Sequence, residues 1–457
     1  MHKLTTGQRL LQGGLVGALL FLPGWAPPAR PAALPAAVVY PGAHLTACGV
    51  NSDGTQTSTA TTFAPLLECS FKLSGAGHLI VLGNATVGLV NAADSYQATL
   101  RLSENEGNNG NAIIERIVDV YPDHPALMSG GDGTDRSVAL TGYYTVTAGT
   151  HDLKLVAKRS AGTATMKFVN ATLSAVFIPD DTDLETCGGN FAVGFLPADN
   201  YLEAAACSFT APRPGLVFVS ADGRLTKAGS SSPYEAAYRL MLDSGAAYSG
   251  IRYTDVYSYT ADDENTTATV TAVFSVTAGV HTVTLSIKQQ SGLGQVQLYY
   301  PGLAVLFVPF DSPYAEACGA LGASTWSNNT VNYTALASCT LAAPSDSWVF
   351  LSGNAGLNQP AANRAPYEAR LGVGRDSLTA LAPTSRYVNS YLDDRDGTDA
   401  PMTTSAVLPN PAGAHTFYLV GRRYTPSTGT TVTVAARTGT LFALVPAADV
   451  FVPAALK

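Results

Sequence analysis

The stretch VTAGTH at residues 146–151 decides the fold prediction, because the chain repeats it. It returns as VTAGVH at 276–281 and as NPAGAH at 410–415. Each copy places Ala-Gly two residues before a His, and an apolar, alternating run follows. Glycine favours tight turns, and alternation is typical of a half-buried strand. We therefore predict a turn that begins a late β-strand in a repeated domain.

The cysteines repeat in step with these turns. The six cysteines form pairs 21, 20 and 21 residues apart, which are Cys48 with Cys69, Cys187 with Cys207, and Cys318 with Cys339. A Gly follows each first cysteine. In an exported chain this pattern predicts three local disulfides, each worth about 3 kcal/mol in the chain-entropy model. Metal binding is the alternative, but zinc sites favour closer Cys-x-x-Cys spacing.

Other marks keep the same period, and they divide the chain into three domains of similar size. These marks are SYQATLRL (95–102), PYEAAYRL (233–240) and PYEARLGV (366–373), followed by RIVDVY (116–121), RYTDVY (252–257) and RYVNSY (386–391). The predicted domains are 44–179, 187–309 and 318–447, after a Pro/Ala-rich lead-in at 27–43. Units of this length are large enough for a core of their own.

Short β-rich runs, punctuated by Gly, Asn, Asp and Pro, fill each unit. Seven or eight strands at this spacing predict an all-β chain of three tandem antiparallel β-sandwiches, most simply jelly rolls. An immunoglobulin-type sandwich is the alternative. The long separation between its cysteines, with a Trp between them, is missing here.

Each unit ends with a Gly-His turn, an apolar strand and a run such as LSAVFIP (173–179) or LAVLFVP (303–309). This ending resembles jelly rolls of the complement-head and tumour-necrosis-factor type, and also tandem secreted bacterial β-sandwich repeat proteins. The resemblance covers about the last third of each unit. Since that family contains trimers, it implies that one chain of three units takes the place of a trimer. A head-to-tail filament is the alternative.

The N-terminus predicts export. An apolar run at 10–25 follows the basic residues His2, Lys3 and Arg9. We predict a signal peptide at 1–26, cleaved after Ala26, with Ala37 as a later alternative site. An uncleaved anchor is the other interpretation, but the run is short and contains Gln12 and Pro23. The mature chain is therefore expected to be extracellular or at the cell surface, without a stable membrane span.

The charge excludes one class of partner. The chain has 457 residues, 13% of them charged, and a formal net charge of −8. Non-specific nucleic-acid binding needs clustered Lys and Arg, and no basic run is present in the predicted mature chain. We therefore expect no nucleic-acid partner.

The repeated histidines His151, His281 and His415 allow two interpretations. As general bases they would need an orienting carboxylate, and the repeat offers Asp119, Asp255 and Asn389. The third of these is not an acid, no Ser or Cys nucleophile recurs in step, and no G-x-S-x-G motif is present. We therefore predict structural histidines, no catalytic residue and no enzyme.

A polar–aromatic mark also recurs at equivalent strand positions. Its members are Asp119 and Tyr121, Asp255 and Tyr257, and Asn389 and Tyr391, each following an Arg. Alternation places the Asp or Asn and the Tyr on one face of a strand and the Arg on the other. Such a face is a candidate ligand surface for glycans. A hydrogen-bond network that fixes strand register is the alternative.

Two further kinds of candidate site remain, for calcium and for glycans. Calcium could use the carboxylates of two acidic turns, which are Asp132 and Asp135 in the first repeat and Asp394, Asp396 and Asp399 in the third. Asp-Gly is also a good turn, the EF-hand pattern fails, and we expect no cofactor.

Asn-x-Ser/Thr sequons are candidate glycosylation sites at Asn84, Asn170, Asn265, Asn328 and Asn332.

These features favour a secreted, non-enzymatic structural or adhesion protein. Its expected partners are other surface proteins, further copies of itself, or glycans. A lectin-like array of glycan-binding modules is the alternative function.

Overall fold

The computed structural model describes residues 38–40, 45–52, 54–90, 95–120, 135–191, 194–195, 200–228, 234–245, 247–256, 265–292, 295–322, 326–328, 331–358, 367–390, 399–423 and 434–447. The predicted signal peptide lies outside these residues, and so does the lead-in except for 38–40. Leu34–Lys457 form one compact unit. Within the described residues, helix occurs only as the short 3-10 turns Gly107–Asn109, Asp243–Gly245 and Ala382–Thr384.

The described strands fall into three successive repeats. Repeat 1 contains β1 (Val38–Tyr40), β2 (Thr46–Asn51), β3 (Thr55–Ser58), β4 (Ala64–Leu73), β5 (Gly77–Leu89), β6 (Tyr96–Glu104), β7 (Glu115–Val120), β8 (Arg136–Val146), β9 (Gly149–Gly162) and β10 (Met166–Pro179). Repeat 2 contains β11 (Glu185–Asn190), β12 (Gly194–Phe195), β13 (Leu202–Ala211), β14 (Gly215–Ala228), β15 (Tyr234–Leu242), β16 (Ala247–Tyr248), β17 (Arg252–Val256), β18 (Asn265–Val276), β19 (Gly279–Gly292) and β20 (Gln295–Pro309). Repeat 3 contains β21 (Ala315–Leu321), β22 (Trp326–Asn328), β23 (Thr334–Ala343), β24 (Ser347–Asn358), β25 (Tyr367–Arg375), β26 (Arg386–Ser390), β27 (Asp399–Asn410), β28 (Gly413–Arg423) and β29 (Val434–Pro446).

Each repeat is a sandwich of two antiparallel sheets with jelly-roll strand order. In repeat 1 the inner sheet runs β2-β10-β5-β8 and the outer sheet runs β4-β9-β6-β7. Repeat 2 has β11-β20-β14-β18 inside, and β13-β19-β15 with β17 on β15 outside. Repeat 3 has β21-β29-β24-β27 and β23-β28-β25-β26. Counting the eight main strands in order, this is 1-8-3-6 facing 2-7-4-5, so the predicted all-β jelly-roll class is confirmed.

The predicted turn lies where the sequence placed it. Gly149, Gly279 and Gly413 begin β9, β19 and β28, and their φ angles are 151°, 145° and 122°. These backbone angles favour glycine, which explains why Gly occupies the position in every copy. Each repeat has its own apolar core between its two sheets.

A fourth apolar cluster, which we call the seam, joins the three repeats. Only the inner sheets and the residues beside them contribute to it. In β5, Leu79 and Val81 point into the core of repeat 1, whereas Ile80 and Leu82 point into the seam. Repeats 2 and 3 contribute an aromatic group in which Phe218 stacks on Phe442 at 4.5 Å and meets Phe350 edge-on at 5.9 Å. The inner sheets are therefore buried on both faces.

The repeats contact one another in a closed cycle. Strand β7 of repeat 1 contacts β18 of repeat 2, β17 of repeat 2 contacts β27 of repeat 3, and β26 of repeat 3 contacts β8 of repeat 1. The third contact closes the ring, so three sandwiches surround one seam within a single chain. Whether 44–179, 187–309 and 318–447 are separate folding domains stays a prediction.

The glycine after each first cysteine lies close to a neighbouring repeat. A Cβ on Gly49 would lie 2.5 Å from the Val407 carbonyl oxygen, and a Cβ on Gly319 would lie 2.4 Å from Val273. A Cβ on Gly188 would lie 2.9 Å from the Tyr143 ring. All three contacts cross between repeats. The Cys-Gly pattern of the sequence thus combines a disulfide with a close contact to the neighbouring repeat.

Candidate functional site

The three predicted disulfides are present. They join Cys48 to Cys69, Cys187 to Cys207 and Cys318 to Cys339. Each links the first strand of an inner sheet to the first strand of the outer sheet in the same repeat. Since disulfides persist in oxidising compartments, they agree with an extracellular protein.

Each repeated histidine joins a turn to a neighbouring strand end. The Nε2 atoms of His151, His281 and His415 lie 2.8, 2.9 and 3.0 Å from the carbonyl oxygen four residues earlier. Their Nδ1 atoms lie 2.7, 2.7 and 2.6 Å from a carboxylate oxygen. Both ring nitrogens of each histidine therefore face fixed oxygens of the protein's own turn and strand end.

The carboxylates are not those that the repeat alignment offered. His151 pairs with Glu104, His281 with Asp243 and His415 with Asp376. Asp119, Asp255 and Asn389, which the general-base interpretation offered as partners, lie on β7, β17 and β26 instead. The correct partners lie at the end of the fourth main strand of each repeat, Glu104 as its last residue and Asp243 and Asp376 directly after it. Strand pairing brings them to the histidine. Sequence spacing alone did not reveal this pairing.

In the pair of His281 and Asp243, each side chain shifts the pKa of the other toward its charged form. Burial opposes the charged ring, but hydrogen bonds to Asp243 and to the Thr277 carbonyl outweigh it and raise the pKa of His281. Burial likewise acts against the ionised Asp243 carboxyl, but hydrogen bonds from His281 and from the Thr282 N–H lower its pKa. We call this group of His281, Asp243 and the Thr277 carbonyl the turn lock, and it favours a charged ring and a charged carboxylate.

The arginine of the repeated R-x-x-[DN]-x-Y mark is buried between repeats. Arg116, Arg252 and Arg386 are each 0% exposed. Arg116 Nε donates to Asp222 of repeat 2 over 2.5 Å, and Arg252 Nε donates to Asn354 of repeat 3 over 2.7 Å. Arg386 Nη2 donates to Thr172 of repeat 1 over 2.6 Å. Each arginine therefore reaches the next repeat around the ring.

The predicted ligand surface beside these arginines is corrected at Asp119. This side chain is 5% exposed, and its Oδ2 accepts hydrogen bonds from the backbone N–H and the Nδ2 of Asn265 over 2.5 and 3.0 Å. Burial raises the pKa of its carboxyl, against the hydrogen bonds from Gln97 and Asn265. Asp119 thus faces repeat 2 rather than solvent. Tyr121, Tyr257 and Tyr391, and the side chains of Asp255 and Asn389, lie outside the described residues.

Three of the sequon asparagines are also buried at these contacts. Asn84, Asn170 and Asn265 are 1%, 8% and 2% exposed. The Nδ2 atoms of Asn84 and Asn170, where a glycan would attach, donate to Ser405 and to the Ser385 carbonyl of repeat 3. A glycan does not fit there in the folded chain, which corrects the expectation for these positions. Asn332 is exposed, and the Asn328 side chain lies outside the described residues.

The calcium candidates are only partly described. Asp135 is 6% exposed, and its Oδ1 lies 3.7 Å from Lys167 Nζ. Asp132, Asp394 and Asp396 lie outside the described residues, and so does the side chain of Asp399 in β27. In the described part of the chain, no three His, Cys, Asp or Glu residues are grouped as metal ligands.

The outer sheets carry a repeated group that the sequence analysis missed. We call it the outer cluster, an aromatic ring with cations from two strands on the face opposite the core. Its members are Phe63, Arg101 and Lys158 in repeat 1, Tyr201, Arg239 and Lys288 in repeat 2, and Tyr333, Arg370 and Arg422 in repeat 3. The cations lie 4.0–6.0 Å from the ring centroids, within the range of cation–π attraction.

A signal for this group exists in the sequence. Each aromatic residue stands six positions before the second cysteine, and Lys158, Lys288 and Arg422 each stand seven positions after the repeated histidine. The other cation is less regular: Arg101 and Arg239 occupy equivalent positions in repeats 1 and 2, but Arg370 of repeat 3 stands at a different position of its strand. Arg370 also lies 4.8 Å from the Tyr387 ring.

The outer cluster of repeat 2 borders a groove. The groove has a volume of about 450 Å³ and is lined by Tyr201, Glu203, Arg239, Met241, Ser244, Gly245, Thr284 and Ser286. In the sheet, Ser286 pairs with Glu203 on one side and with Arg239 on the other. The groove therefore combines an aromatic ring, a cation, a carboxylate and hydroxyl groups on one outward face.

Comparisons with known proteins give no family. No family model and no curated protein matches the chain. Similar solved structures include the tandem CBM22 domains of Paenibacillus barcinonensis Xyn10C, 11% identical over 56% of this chain and 91% of that chain, with a TM-score of 0.17. An archaeal virus turret protein with a triple jelly roll is 10% identical over 88% and 83%, with a TM-score of 0.17. The infectious bursal virus T=1 particle is 8% identical over 93% and 83%, with a TM-score of 0.21.

With TM-scores this low, the fold assignment stands on the strand order of the chain itself. Among the described residues, no helix has the length and hydropathy of a transmembrane segment.

Proposed function

We propose that this chain is an exported, non-enzymatic adhesion or structural protein that presents three copies of one outer sheet. The seam carries this proposal, because it buries the inner sheets of all three repeats against one another. The outer sheets are left as the repeated surface. Each of them carries an outer cluster at equivalent or neighbouring strand positions.

A closed ring of three similar surfaces suits multivalent attachment. When three weak sites are held in one rigid body, the second and third binding events become intramolecular, and overall avidity can exceed a single affinity by about 10²–10⁴. The ring fixes the distances between the sites without a flexible linker. Partners that present a repeated surface, such as a cell wall or a protein lattice, are the class that benefits most.

The repeated histidines support a structural role rather than an acid–base role. Both ring nitrogens of each histidine lie within hydrogen-bond distance of fixed protein oxygens, and each histidine lies at a turn. A general base needs a free lone pair within reach of a substrate proton. The proposal of no enzymatic activity is tested by incubating the chain with a broad panel of hydrolase substrates, where turnover would contradict it.

The adhesion proposal is tested by removing outer clusters one at a time. Phe63→Ala, Tyr201→Ala and Tyr333→Ala are made singly and together, and binding to intact cell surfaces and to immobilised envelope material is measured. We expect a several-fold loss for each single variant and a loss of about 10²-fold or more for the triple variant, because avidity fails. Val280→Ala is the control, since this 72% exposed residue lies at the start of β19, outside the clusters. A triple variant that binds like the control contradicts the proposal.

A glycan-binding array is the second candidate function, and the groove of repeat 2 favours it. Sugar sites combine an aromatic surface with a few placed polar groups, and Tyr201, Arg239 and Ser286 provide such a set beside the groove. A glycan array with reproducible hits, lost in Tyr201→Ala and Arg239→Ala but kept in Val280→Ala, supports it. Hits that survive both groove substitutions, or no hits, contradict it.

A further inference from the structure

The three equivalent interface arginines differ in how their charge is balanced. Arg116 lies 2.5 Å from a carboxylate oxygen of Asp222, and both side chains are fully buried. At the next interface the position of Asp222 is taken by Asn354, a neutral amide that accepts from Arg252 Nε over 2.7 Å. The repeat therefore changes the partner from an acid to an amide but keeps the buried arginine.

Arg386 also lacks a carboxylate partner, and neutral oxygens bind its two terminal nitrogens, although its buried Nε has no acceptor among the described residues. Its Nη1 donates to the carbonyls of Pro383 and Ser385 over 3.0 and 2.9 Å, and its Nη2 donates to Thr172 Oγ1. Arg252 has no such set. Its Nη1 and Nη2 are both buried, and neither has an acceptor among the residues that the structure describes. These two nitrogens carry four N–H donors, and a buried N–H without an acceptor destabilises the folded state.

Arg252 also keeps its charge. Burial lowers the pKa of Arg252 to about 10 and that of Arg386 to about 9, so both guanidinium groups stay protonated at neutral pH. A buried charge without a counter-charge is strongly unfavourable. Water satisfies the N–H groups but leaves the charge unbalanced, whereas an anion meets both requirements.

We propose that the Arg252 guanidinium binds a small monovalent anion, of the halide class, at the interface between repeats 2 and 3. The anion balances the charge of Arg252 as the Asp222 carboxylate balances that of Arg116, but it binds at Nη1 and Nη2, because Asn354 already occupies the side of Nε. A small, singly charged ion suits a fully buried site, because a doubly charged ion costs more to remove from water and a larger ion needs more space. The two terminal nitrogens supply the donors, and Asn354 keeps Nε oriented. This site is independent of the proposed adhesion function.

The repeat itself supplies matched variants for the test. Unfolding of the full chain is measured in sodium chloride and in sodium gluconate at equal ionic strength. Above the Kd, each tenfold rise in chloride is expected to raise the wild-type folding constant about tenfold, as for any ligand of the native state. Asn354→Asp places a carboxylate beside Arg252 and is expected to lose this dependence. Asp222→Asn is expected to add a second chloride dependence at Arg116.

A direct measurement keeps the proposal testable if a variant does not fold. Wild-type crystals soaked in bromide are expected to show an anomalous peak within hydrogen-bond distance of Arg252 Nη1 or Nη2. Equal chloride dependence in the wild type and Asn354→Asp overturns the proposal. So does a bromide-soaked crystal with water or a protein carboxylate in that place.

Discussion

His281 shows how one side chain couples the turn to the sheet. Its ring is held between the Thr277 carbonyl on one side and the Asp243 carboxylate on the other. The Asp243 carboxylate also accepts the backbone N–H of Thr282 over 3.0 Å. Asn105, Asp243 and Asp376 occupy this position in the three repeats with φ angles of 58°, 50° and 54°. The left-handed backbone, which Asn and Asp tolerate best, thus places the acceptor of the strand N–H in all three repeats. In repeat 1 the carboxylate that meets the histidine comes from the preceding residue, Glu104.

This lock predicts a pH dependence of stability. Because the folded pKa of His281 is raised above 6.5, its contribution is complete below pH 6.5 and is lost as pH rises through the folded pKa. Because the folded pKa of Asp243 is lowered below 3.8, its contribution is present above pH 3.8 and is lost as pH falls through the folded value. We expect His281→Gln to lose the most stability between pH 3.8 and 6.5.

The measurement is the thermal unfolding midpoint of wild type and His281→Gln from acidic to alkaline pH. The gap between the two midpoints should narrow as pH rises above 6.5. Val280→Ala, next to His281 at the start of β19, should follow the wild-type profile. A gap of constant size across this range would show that the ring stabilises the turn by packing alone.

These residues also show which features of the site can be predicted from the sequence. The turn glycine and the start of the strand at His281 follow from a local pattern, so both could be predicted from the sequence. The partner Asp243 lies 38 residues earlier and meets the ring only because β15 and β19 pair. Asp119 was expected on a surface because the alternation of side chains describes a single strand. It does not show what packs on either face of that strand.

The strands of the inner sheets have two buried faces, and their sequences show it. In β5 the run from Leu79 to Leu82 is apolar without interruption, and every one of these residues is buried. Such runs are typical of strands covered on both sides. The sequence therefore contained the evidence for a covered sheet, although it did not show what covers it. The outer strand β4, with exposed Ser70 and Lys72, alternates as a half-buried strand does.

The glycines beside the first cysteines make these strands sensitive to a single methyl group. Gly49→Ala would place Cβ 2.5 Å from the Val407 carbonyl oxygen, which is backbone of the neighbouring repeat and has little room to move. We expect a loss of about 1–3 kcal/mol in the free energy of unfolding, as for other overpacked contacts. Denaturant titration followed by circular dichroism measures it.

Gly75→Ala is the matched control for this substitution, because a Cβ there meets nothing within 4 Å. Its free energy of unfolding should stay close to the wild-type value. If Gly49→Ala proves as mild as Gly75→Ala, then repeats 1 and 3 do not pack as closely at β2 as the structure shows.

At the scale of the whole molecule, the seam turns three similar units into one body. The sequence predicted three units from their marks and a trimer-like assembly from the resemblance, with a filament as the alternative. The cycle of contacts from β7 to β18, β17 to β27 and β26 to β8 closes the ring within one chain. The order of repeats around the seam could not be predicted, because it depends on contacts such as Arg116 with Asp222, 106 residues apart.

The seam predicts that the repeats unfold together. Phe442 is fully buried in the seam and stacks on Phe218 of repeat 2, whereas Phe417 is fully buried in the separate core of repeat 3. Truncating either to Ala should cost about 3–5 kcal/mol. We expect Phe417→Ala to lower the temperature of one shared transition in calorimetry. Phe442→Ala weakens the coupling itself, so its transition should broaden or split, because units in weaker contact no longer unfold as one cooperative system. A single sharp transition at the wild-type temperature in Phe442→Ala would mean that the seam does not couple the repeats.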